Sequence, residues 1–363
     1  MIDTHCHLDL PAFAEDVDAV VGRATAAGVI GMLVPAVRPA TWAACAALVE
    51  RHAAAGLRLA IGVHPQIVPE LAPDEIGGAS ESTRAGDGTG IASERPRDGD
   101  IDAIAAWVAR EAIAYRAVAI GECGLDGGTN DMPRQEALFR AHIRAARITG
   151  LPLVIHVLRA HDRAPRILRE ELDRASRIVH ELDRTLRVPR DSMPTVGASS
   201  TAAAGTSMST VGASSTPPAG TSMSTVGASS TPTAGTSMST VGASSMPVIG
   251  VLHSYSGGAA LVDVYRELGM AFSFAGPVSY ANARKPVEAA RLVPEDLLLA
   301  ETDAPDQAPQ GHRGGRSEPA FVGAVIAGLA AARGVTAETI GALTTANAQR
   351  IFGAWPSSTT TRE

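Results

Sequence analysis

The sequence predicts an α/β protein that folds as a (β/α)8 barrel, the TIM barrel, interrupted by a disordered low-complexity repeat. Short apolar runs suited to buried strands alternate with amphipathic stretches suited to helices, and together they make eight strand-then-helix units. Hydrophobic residues make up 45% and charged residues 19% of 363 residues, which is enough to bury one large core. Without two stretches that lack apolar periodicity, about 280 residues remain, close to the ~250 of a single barrel domain.

Each predicted strand is a short apolar run, and most of these runs are followed by a stretch with helical periodicity. The predicted strands are Ile2–His7, Ile30–Ala36, Arg58–His64, Ala117–Glu122, Leu153–Val157, Val248–His253, Met270–Ala275 and Leu297–Thr302. The predicted helices are Glu15–Ala27, Thr41–Ala55, Ile101–Ala114, Arg134–Thr149 and Ala259–Leu268, with two or three more between Ser317 and Phe352.

A repeat of 15 residues stands apart from the alternating pattern. The unit TVGASSTAAAGTSMS begins at Thr195 and restarts at Thr210, Thr225 and Thr240. It offers one valine and one methionine to a core, so we expect a disordered insertion at 191–246 rather than a solenoid. A second stretch, about 77–100, is predicted to be a flexible loop. The expected organisation is therefore a barrel formed by 1–190 and 247–355, with a flexible tail at 356–363.

Charge and cysteine content limit the classes of function. The chain has 31 basic and 38 acidic residues, a net charge of -7, which excludes a generally basic nucleic-acid binder but not an enzyme that holds phosphates locally. Its three cysteines form no disulfide framework. The first ten residues show no signal-peptide pattern, and no apolar run has the length of a membrane span. We expect a cytoplasmic protein with no membrane partner.

Residues able to bind metal follow the predicted strands at the point where each strand ends. Active sites of (β/α)8 barrels are built at this end of the strands, so these side chains are expected to meet in one barrel mouth. They are His5 and His7 after the first strand, His64 after the third, Glu122 after the fourth, His156 after the fifth, His253 after the sixth and Asp303 after the eighth.

Two positions carry specific expectations. His5 and His7 are two residues apart, so on a strand both imidazoles point to the same side. Glu122 lies between Gly121 and Gly124, which permit close backbone approach, and a carboxylate that bridges two cations would satisfy this position.

The donor set predicts a centre with two metal ions. A lone histidine on an apolar strand is more often a core residue, and Asp303 alone would fit a helix N-cap, but six such coincidences favour a metal site. Four imidazoles and two carboxylates suit zinc, manganese, iron or cobalt, and six ligands exceed the four of a structural zinc site. The expected cofactor is two divalent ions, zinc, manganese, magnesium or similar. Asp303 is expected to take a proton from the attacking water.

At these residues the chain resembles the TatD family of metal-dependent deoxyribonucleases, within the amidohydrolase superfamily of barrels. The resemblance covers nearly the whole chain except the two soft stretches and the last ten residues. It departs from the family at Gly127-Gly128, where aromatic residues are common, and at Arg316-Ser317-Glu318-Pro319, where an Arg-Asn-Glu-Pro type run is usual. The matching pieces are Asp3–Asp9 (DTHCHLD), Gly62–Pro65 (GVHP), Ile120–Asp126 (IGECGLD), Leu151–His156 (LPLVIH), Val251–Gly257 (VLHSYSG), Ser273–Tyr280 (SFAGPVSY), Glu301–Pro305 (ETDAP) and Thr344–Gly353 (TTANAQRIFG).

The resemblance implies metal-dependent hydrolysis of phosphodiester bonds in DNA, as a 3′-5′ exonuclease that acts on single strands or 3′ ends. The expected mechanism is attack of a metal-bound hydroxide on the phosphate, with Asp303 as the general base and Glu122 as the bridging catalytic carboxylate. The implied ligands are His5, His7, Glu122 and Asp303 for one ion, and Glu122, His156 and His253 for the other.

Substrate contacts are expected from residues around the mouth. The resemblance implies that His64 contacts a substrate phosphate or supports a metal ligand. Four more candidates for phosphate contacts are Arg159, His161, Arg313 and Arg316.

Other functions remain open at this point. Lactonases and phosphotriesterases of the superfamily often bridge their metals with a carboxylated lysine, whereas the only lysine here, Lys285, lies in a later loop or helix. A deaminase fits the motif around Glu122 less well, and a tRNA-linked ester is a further possible substrate. A non-catalytic metal-binding adaptor, with the repeat as its arm, is disfavoured because every expected ligand is present. No obligate protein partner is indicated.

Overall fold

The computed structural model describes residues 1–72, 75–76, 100–186 and 249–355. These residues form one sheet of eight parallel strands in the order β1 to β8, so the predicted barrel is confirmed. The strands are β1 Ile2–Asp3, β2 Gly31–Ala36, β3 Leu57–Ile61, β4 Ala119–Asp126, β5 Leu153–Leu158, β6 Gly250–Leu252, β7 Met270–Phe274 and β8 Leu298–Ala300.

Helices follow the strands along the chain. The predicted helix at 101–114 matches α3 at both ends. Asp100 caps the start of this helix by accepting a hydrogen bond from the amide of Ala103. Helices α5 and α7 were not among those predicted with bounds. The α-helices of the described residues are α1 Val17–Ala26, α2 Trp42–Arg51, α3 Ile101–Ala114, α4 Met132–Thr149, α5 Ala164–Leu186, α6 Val262–Glu267, α7 Lys285–Leu292, α8 Val322–Arg333 and α9 Ala337–Phe352.

The first and last strands meet just beyond their ends. The amide of Thr4 donates to Ala300 O at 3.2 Å, the amide of His7 to Ala304 O at 2.7 Å, and the amide of Asp303 to His5 O at 2.9 Å. These bonds bring the segment after β8 alongside the segment after β1. They therefore place Asp303 beside the two N-terminal histidines, at the C-terminal rim of the barrel.

Strand β4 corrects one expectation. The sequence predicted that this strand ends at Glu122, but it continues to Asp126, and its pairing with β5 shifts register between Ile120 and Cys123. Glu122 lies in this irregularity, in the middle of the strand, so its backbone departs from the regular ladder. The flanking glycines permit close packing on β5, as expected: a Cβ at Gly121 would lie 2.3 Å from Val154 O.

The core around the barrel is mostly aliphatic, since aromatic residues make up only 4% of the chain, although its largest fully buried side chains are aromatic. Phe139 on α4 and Tyr265 on α6 are completely buried, as are Phe272 and Phe274 on β7. Burying an aromatic side chain of this kind contributes about 1.5–3 kcal/mol, so a few such residues anchor helices that are otherwise rich in alanine.

Several expectations fall on parts of the chain that the structure does not describe. The insertion at 191–246, almost all of the loop at 77–100 and the tail at 356–363 lie outside the described residues, and their boundaries stay predictions. Contacts divide the chain into a barrel unit, Met1–Ile178 with Ser244–Glu363, and a second unit, Val179–Ala243. Of the second unit the structure describes only the end of α5.

Membrane-span criteria are met by no single helix of the described residues. The segments Pro319–Arg333 and Ala337–Phe352 meet these criteria of length and composition only as a pair, with a bend of 111° between them.

Candidate metal centre

The carboxylate of Glu122 lies completely buried at the centre of the predicted site, and one of its oxygens faces the N-terminal histidines. His5 Nε2 lies 3.1 Å and His7 Nε2 lies 3.4 Å from Glu122 Oε2. The two histidine nitrogens are 3.0 Å from each other. Asp303 Oδ1 completes this side, 3.7 Å from His5 Nε2 and 3.8 Å from His7 Nε2. The fourfold set predicted for one ion is therefore assembled around a single oxygen of Glu122.

The second oxygen of Glu122 faces the other three histidines. His64 Nε2 lies 2.8 Å, His156 Nδ1 3.0 Å and His253 Nε2 2.6 Å from Glu122 Oε1. His156 Nδ1 and His253 Nε2 are also 3.0 Å apart. Glu122 thus separates two groups of donors, one at each oxygen, which is the arrangement expected of a bridging carboxylate.

Asp303 is oriented by two neighbours from the same rim. Ser254 Oγ donates to Asp303 Oδ2 at 3.2 Å, and Gln307 Nε2 donates to the same oxygen. Oδ1 is left facing the histidines. Asp303, Ser254 and Gln307 all have positive φ angles, 53°, 41° and 51°, a conformation that costs of order 1–3 kcal/mol for a residue other than glycine. The surrounding structure holds these residues in strained conformations that point their side chains at one another.

The tautomers of His7 and His253 leave a lone pair directed into the cluster. His7 Nδ1 lies 3.3 Å from Pro35 O, an atom that can only accept, so Nδ1 carries the proton and Nε2 is free to bind a cation. His253 Nδ1 lies 3.6 Å from Glu301 Oε1, and this carboxylate likewise favours the proton on Nδ1. In their neutral forms both histidines therefore present an unprotonated nitrogen to Glu122.

His156 and His64 differ in whether the ring nitrogen that faces Glu122 carries the proton. His156 Nε2 faces Asp126 Oδ2 at 3.5 Å, which favours the proton on Nε2 and leaves the lone pair of Nδ1 toward Glu122. His64 Nδ1 instead accepts a hydrogen bond from the amide of Gln66 at 3.1 Å. The proton of neutral His64 must then lie on Nε2, the nitrogen that faces Glu122. Toward the cluster, neutral His64 therefore presents a proton, whereas neutral His156 presents a lone pair.

Electrostatics favour an ionised Glu122. Burial alone would raise the pKa of Glu122, but the nearby histidines, His253 first, hold this pKa well below its usual range. Burial would lower the pKa of His7, yet its close contact with Glu122 and the charge of that carboxylate raise it to about 9. For His5 the balance is reversed, since burial and the nearby His253 lower its pKa. A buried carboxylate ringed by imidazoles in this way attracts positive charge.

The site fits divalent metal ions by its chemistry. Among the described residues, buried Glu122 Oε2 has no hydrogen-bond partner. Paired nitrogens 3.0 Å apart, with their lone pairs facing the same space, are spaced like two ligands that each lie ~2.0–2.1 Å from one ion. Three groups of residues satisfy the spacing needed to hold an ion: His5, Glu122 and His253; His5, His7 and Asp303; and His64, Glu122 and His156.

Of the other predicted substrate contacts, Arg159 and His161 follow β5 at the rim. Arg159 is exposed, and a Cβ at Gly128 would lie 3.7 Å from its Nη1, so the arginine covers the Gly127-Gly128 turn. His161 is held inside the rim, with Nδ1 2.9 Å from Tyr265 Oη. The guanidinium of Arg159 is therefore accessible, whereas both nitrogens of His161 face protein groups.

The two later arginines have protein partners. The guanidinium of Arg313 stacks 4.4 Å over the ring of Tyr280. Arg316 donates to Asp16 at 2.7 and 2.8 Å and to Glu318 Oε1 at 2.9 Å. Carboxylates thus already neutralise Arg316, and a role in holding phosphate is not supported by these contacts.

Sequence reasoning missed the residues that support the ligands. Asp126, Ser254 and Glu301 lie within the matching motifs, but the sequence alone suggests no role for them, and Gln66 and Gln307 lie outside these motifs. One signal was available: Glu301 precedes Asp303 by two residues, the same spacing that linked His5 to His7. The hydrogen-bond partners of the histidines come from distant parts of the chain and leave no local signal.

A (β/α)8 barrel that gathers histidines and carboxylates around one buried glutamate at its C-terminal rim belongs to the class of metal-dependent hydrolases. The model of the family described as TatD related DNase matches residues 2–209 and 235–353, and the chain belongs to this family of metal-dependent hydrolases.

Individual proteins show the same relationship. The chain is 24% identical over 354 residues to an uncharacterized metal-dependent hydrolase of Bacillus subtilis, YabD, covering 97% of this chain and 98% of that protein. It is 34% identical over 176 residues to the 3′-5′ ssDNA/RNA exonuclease TatD of Enterobacter lignolyticus, covering 48% of this chain and 56% of that protein. The crystal structure of a TatD homologue from Escherichia coli, YjjV, has the same fold, with a TM-score of 0.62 at 24% identity and 98% of each chain covered.

Proposed function

We propose that this protein is a nuclease that hydrolyses phosphodiester bonds in single-stranded DNA from the 3′ end. One observation carries the proposal: each oxygen of Glu122 faces its own group of ligands, an arrangement suited to a two-ion phosphodiesterase. The named activity of the Enterobacter relative, a 3′-5′ ssDNA/RNA exonuclease, supports the choice of nucleic acid as the substrate.

We assign one ion to His5, His7, Glu122 and Asp303, and the other to Glu122, His156 and His253. When bound, two divalent ions lower the pKa of water and neutralise the charge that develops on the phosphate. Asp303 would accept the proton of the attacking water at Oδ1, because Oδ2 is already held by Ser254 and Gln307.

His64 has the complementary role in this scheme. Its Nε2–H points into the centre, and this donor would bind a non-bridging oxygen of the phosphate when substrate is present. Exposed Arg159 would hold the neighbouring phosphate along the strand. The chain as a whole is acidic, so these local donors would account for most of the attraction to DNA.

The test is a nuclease assay on single- and double-stranded oligonucleotides labelled at the 5′ end. Protein treated with a chelator would be given back magnesium, manganese or zinc. We expect a ladder of products shortened from the 3′ end, with activity restored by at least one metal. Asp303→Asn should reduce the rate by more than about a thousandfold, while Asp306→Asn, an exposed aspartate three residues later, should match wild type.

The alternative outcome identifies a different substrate. Metal that binds without any cleavage of DNA or RNA would reject the nuclease proposal, and a screen of carboxylic esters, lactones and other phosphoesters would follow. A carboxylated-lysine centre is disfavoured in this screen, since the only lysine, Lys285, begins α7 rather than lying on β4.

A further inference from the structure

A cavity of about 230 Å³ opens beside Asp303, between the segments that follow β6, β7 and β8. Ser254 and Gln307 line it, and both hydrogen-bond Asp303, so the cavity begins one side chain away from the proposed catalytic carboxylate. A substrate whose reacting phosphate lies at Asp303 would therefore have an adjoining group within reach of this cavity. This cavity is not used by the proposed metal centre.

The polar protons of Ser254 and Gln307, the wall residues nearest Asp303, are already engaged in hydrogen bonds within the protein. The hydroxyl of Ser254 donates to Asp303 Oδ2. Gln307 Nε2 donates to Asp303 and, at 2.7 Å, to Ser254 Oγ. What Ser254 and Gln307 leave for a bound molecule is therefore lone pairs, on the serine hydroxyl and on the amide oxygen.

Ser256, the third polar residue of the wall, is arranged in the same way. Its hydroxyl donates to Val157 O at 3.0 Å, because a carbonyl can only accept, so its oxygen accepts from His161 Nε2 at 3.2 Å. Nδ1 of neutral His161 then accepts from buried Tyr265 Oη. This chain of hydrogen bonds fixes the direction of each proton. Ser256 also offers a bound molecule only a lone pair.

Tyr255 also lines the cavity, but its hydroxyl donates to Gly258 O at 3.0 Å. The other lining side chains are apolar: Phe274, Ala275, Val278 and the half-buried rings of Pro277 and Pro286. A cavity of about 150 Å³ holds benzene, so 230 Å³ has room for a single ring such as a pyrimidine with its substituents. A purine is larger because it has a second fused ring.

We propose that this cavity binds the base of the 3′-terminal nucleotide and prefers cytosine. The inference rests on the proposed nuclease function. Cytosine presents an exocyclic amino group, which can donate to the lone pairs of Ser254, Ser256 or Gln307. Thymine and uracil present a carbonyl oxygen at that position, and the cavity would then hold two acceptors face to face.

The first test measures the cavity without catalysis. Saturation-transfer NMR on the chelator-treated full-length protein would compare 2′-deoxycytidine with thymidine. We expect transfer to the cytosine ring protons that exceeds transfer to thymine several-fold. Ala275→Val should fill the cavity and abolish this signal, whereas Ala337→Val, an exposed alanine at the start of α9, should leave it unchanged.

The second test uses cleavage. Oligonucleotides that differ only in a 3′-terminal cytosine or thymine would be compared in single-turnover reactions with metal. We expect the first nucleotide to be removed about tenfold faster from the cytosine substrate, the effect of one unsatisfied polar pair. Ser256→Ala should bring the two rates closer together, and a melting curve would show whether each variant is folded.

The outcomes separate this inference from the proposed function. Equal NMR transfer from both nucleosides, or transfer that Ala275→Val leaves intact, would overturn the inference whatever the enzyme cleaves. If neither oligonucleotide is cut while deoxycytidine still binds selectively, the nuclease function fails and the cavity remains a cytosine site. Cleavage of both oligonucleotides at equal rates, with no selective binding of deoxycytidine, would support the nuclease function and reject the cavity as a base site.

Discussion

His64 and His156 approach the same oxygen of Glu122, at 2.8 and 3.0 Å, but with opposite hydrogen-bond polarity. The amide of Gln66 donates to His64 and drives its proton to the nitrogen that faces the cluster. The carboxylate of Asp126 faces the outer nitrogen of His156 and leaves the inner one bare. The two histidines therefore present different groups to the same oxygen: neutral His64 presents a proton, and neutral His156 presents a lone pair.

This difference predicts that replacement by asparagine has different effects at the two histidines. His156→Asn should lose about half of the bound metal, measured by elemental analysis of desalted protein, because one ion loses a ligand. His64→Asn should keep its metal content and lower kcat/KM between about tenfold and a hundredfold, the value of a hydrogen bond to a charged oxygen. Metal loss in His64→Asn equal to that in His156→Asn would show that His64 is a ligand.

Glu301 is predicted to act through His253. It is completely buried, its Oε1 accepts from the amide of Ser254, and the same oxygen faces His253 Nδ1. Glu301→Gln should weaken metal binding by about 10–100-fold, measured by titration calorimetry, because the imidazole loses the group that fixes its tautomer. Glu122→Gln, in contrast to Glu301→Gln, should retain no measurable metal binding at either site. An unchanged dissociation constant for Glu301→Gln would exclude this positioning role.

Arg159 and Arg316 are expected to differ as substrate contacts. Arg159→Ala should raise KM several-fold and reduce the salt dependence of DNA binding by about one phosphate contact, because its guanidinium is exposed at the rim. Arg316→Ala should leave KM unchanged and lower the melting temperature, since its donors are engaged by Asp16 and Glu318. Fluorescence anisotropy at several salt concentrations checks both variants. A salt slope altered only by Arg316→Ala would reverse the assignment.

His142 predicts how stability depends on pH. Burial lowers its pKa to about 4 from an ordinary 6.5, while Nε2 accepts from the amide of Val63 and Nδ1 faces Leu138 O at 2.7 Å. Between pH 6.5 and 4 the unfolded chain binds a proton here that the folded chain does not. The contribution of neutral His142 to the free energy of unfolding is therefore complete above pH 6.5, and the free energy falls by up to about 3 kcal/mol as the pH drops toward 4.

His142→Gln removes this titration and isolates its effect. Urea unfolding at several pH values, with the same metal present throughout, should show a shallower loss of stability in the variant across pH 6.5 to 4. The absolute stability of His142→Gln is not the readout, because the substitution also changes packing. Parallel pH profiles for the two proteins would exclude His142 as the titrating group.

Much of the site was predictable because barrel geometry converts strand ends into neighbours. His5, His156, His253 and Asp303 were expected to meet for this reason, and they do, around Glu122. The ends of α3 were also correct, and the structure shows that Asp100 caps its start. These features depend on local periodicity and on one general property of the fold.

The remaining features depend on contacts that no local pattern reveals. Strand β4 runs past Glu122 because its glycines pack against β5 rather than turning the chain. Arg316 was a candidate for phosphate, but it pairs with Asp16, 300 residues away in sequence. The tautomer of His64 follows from the geometry of one backbone amide. Such details require the folded backbone, and they decide which polar groups are free to act.

Anomalous X-ray diffraction from crystals soaked in manganese would show whether Glu122 bridges two metal ions. We expect two peaks, one beside each carboxylate oxygen of Glu122, with His5 and His7 next to the first and His156 and His253 next to the second. A single peak, or two peaks of which only one contacts Glu122, would rule out the bridging role.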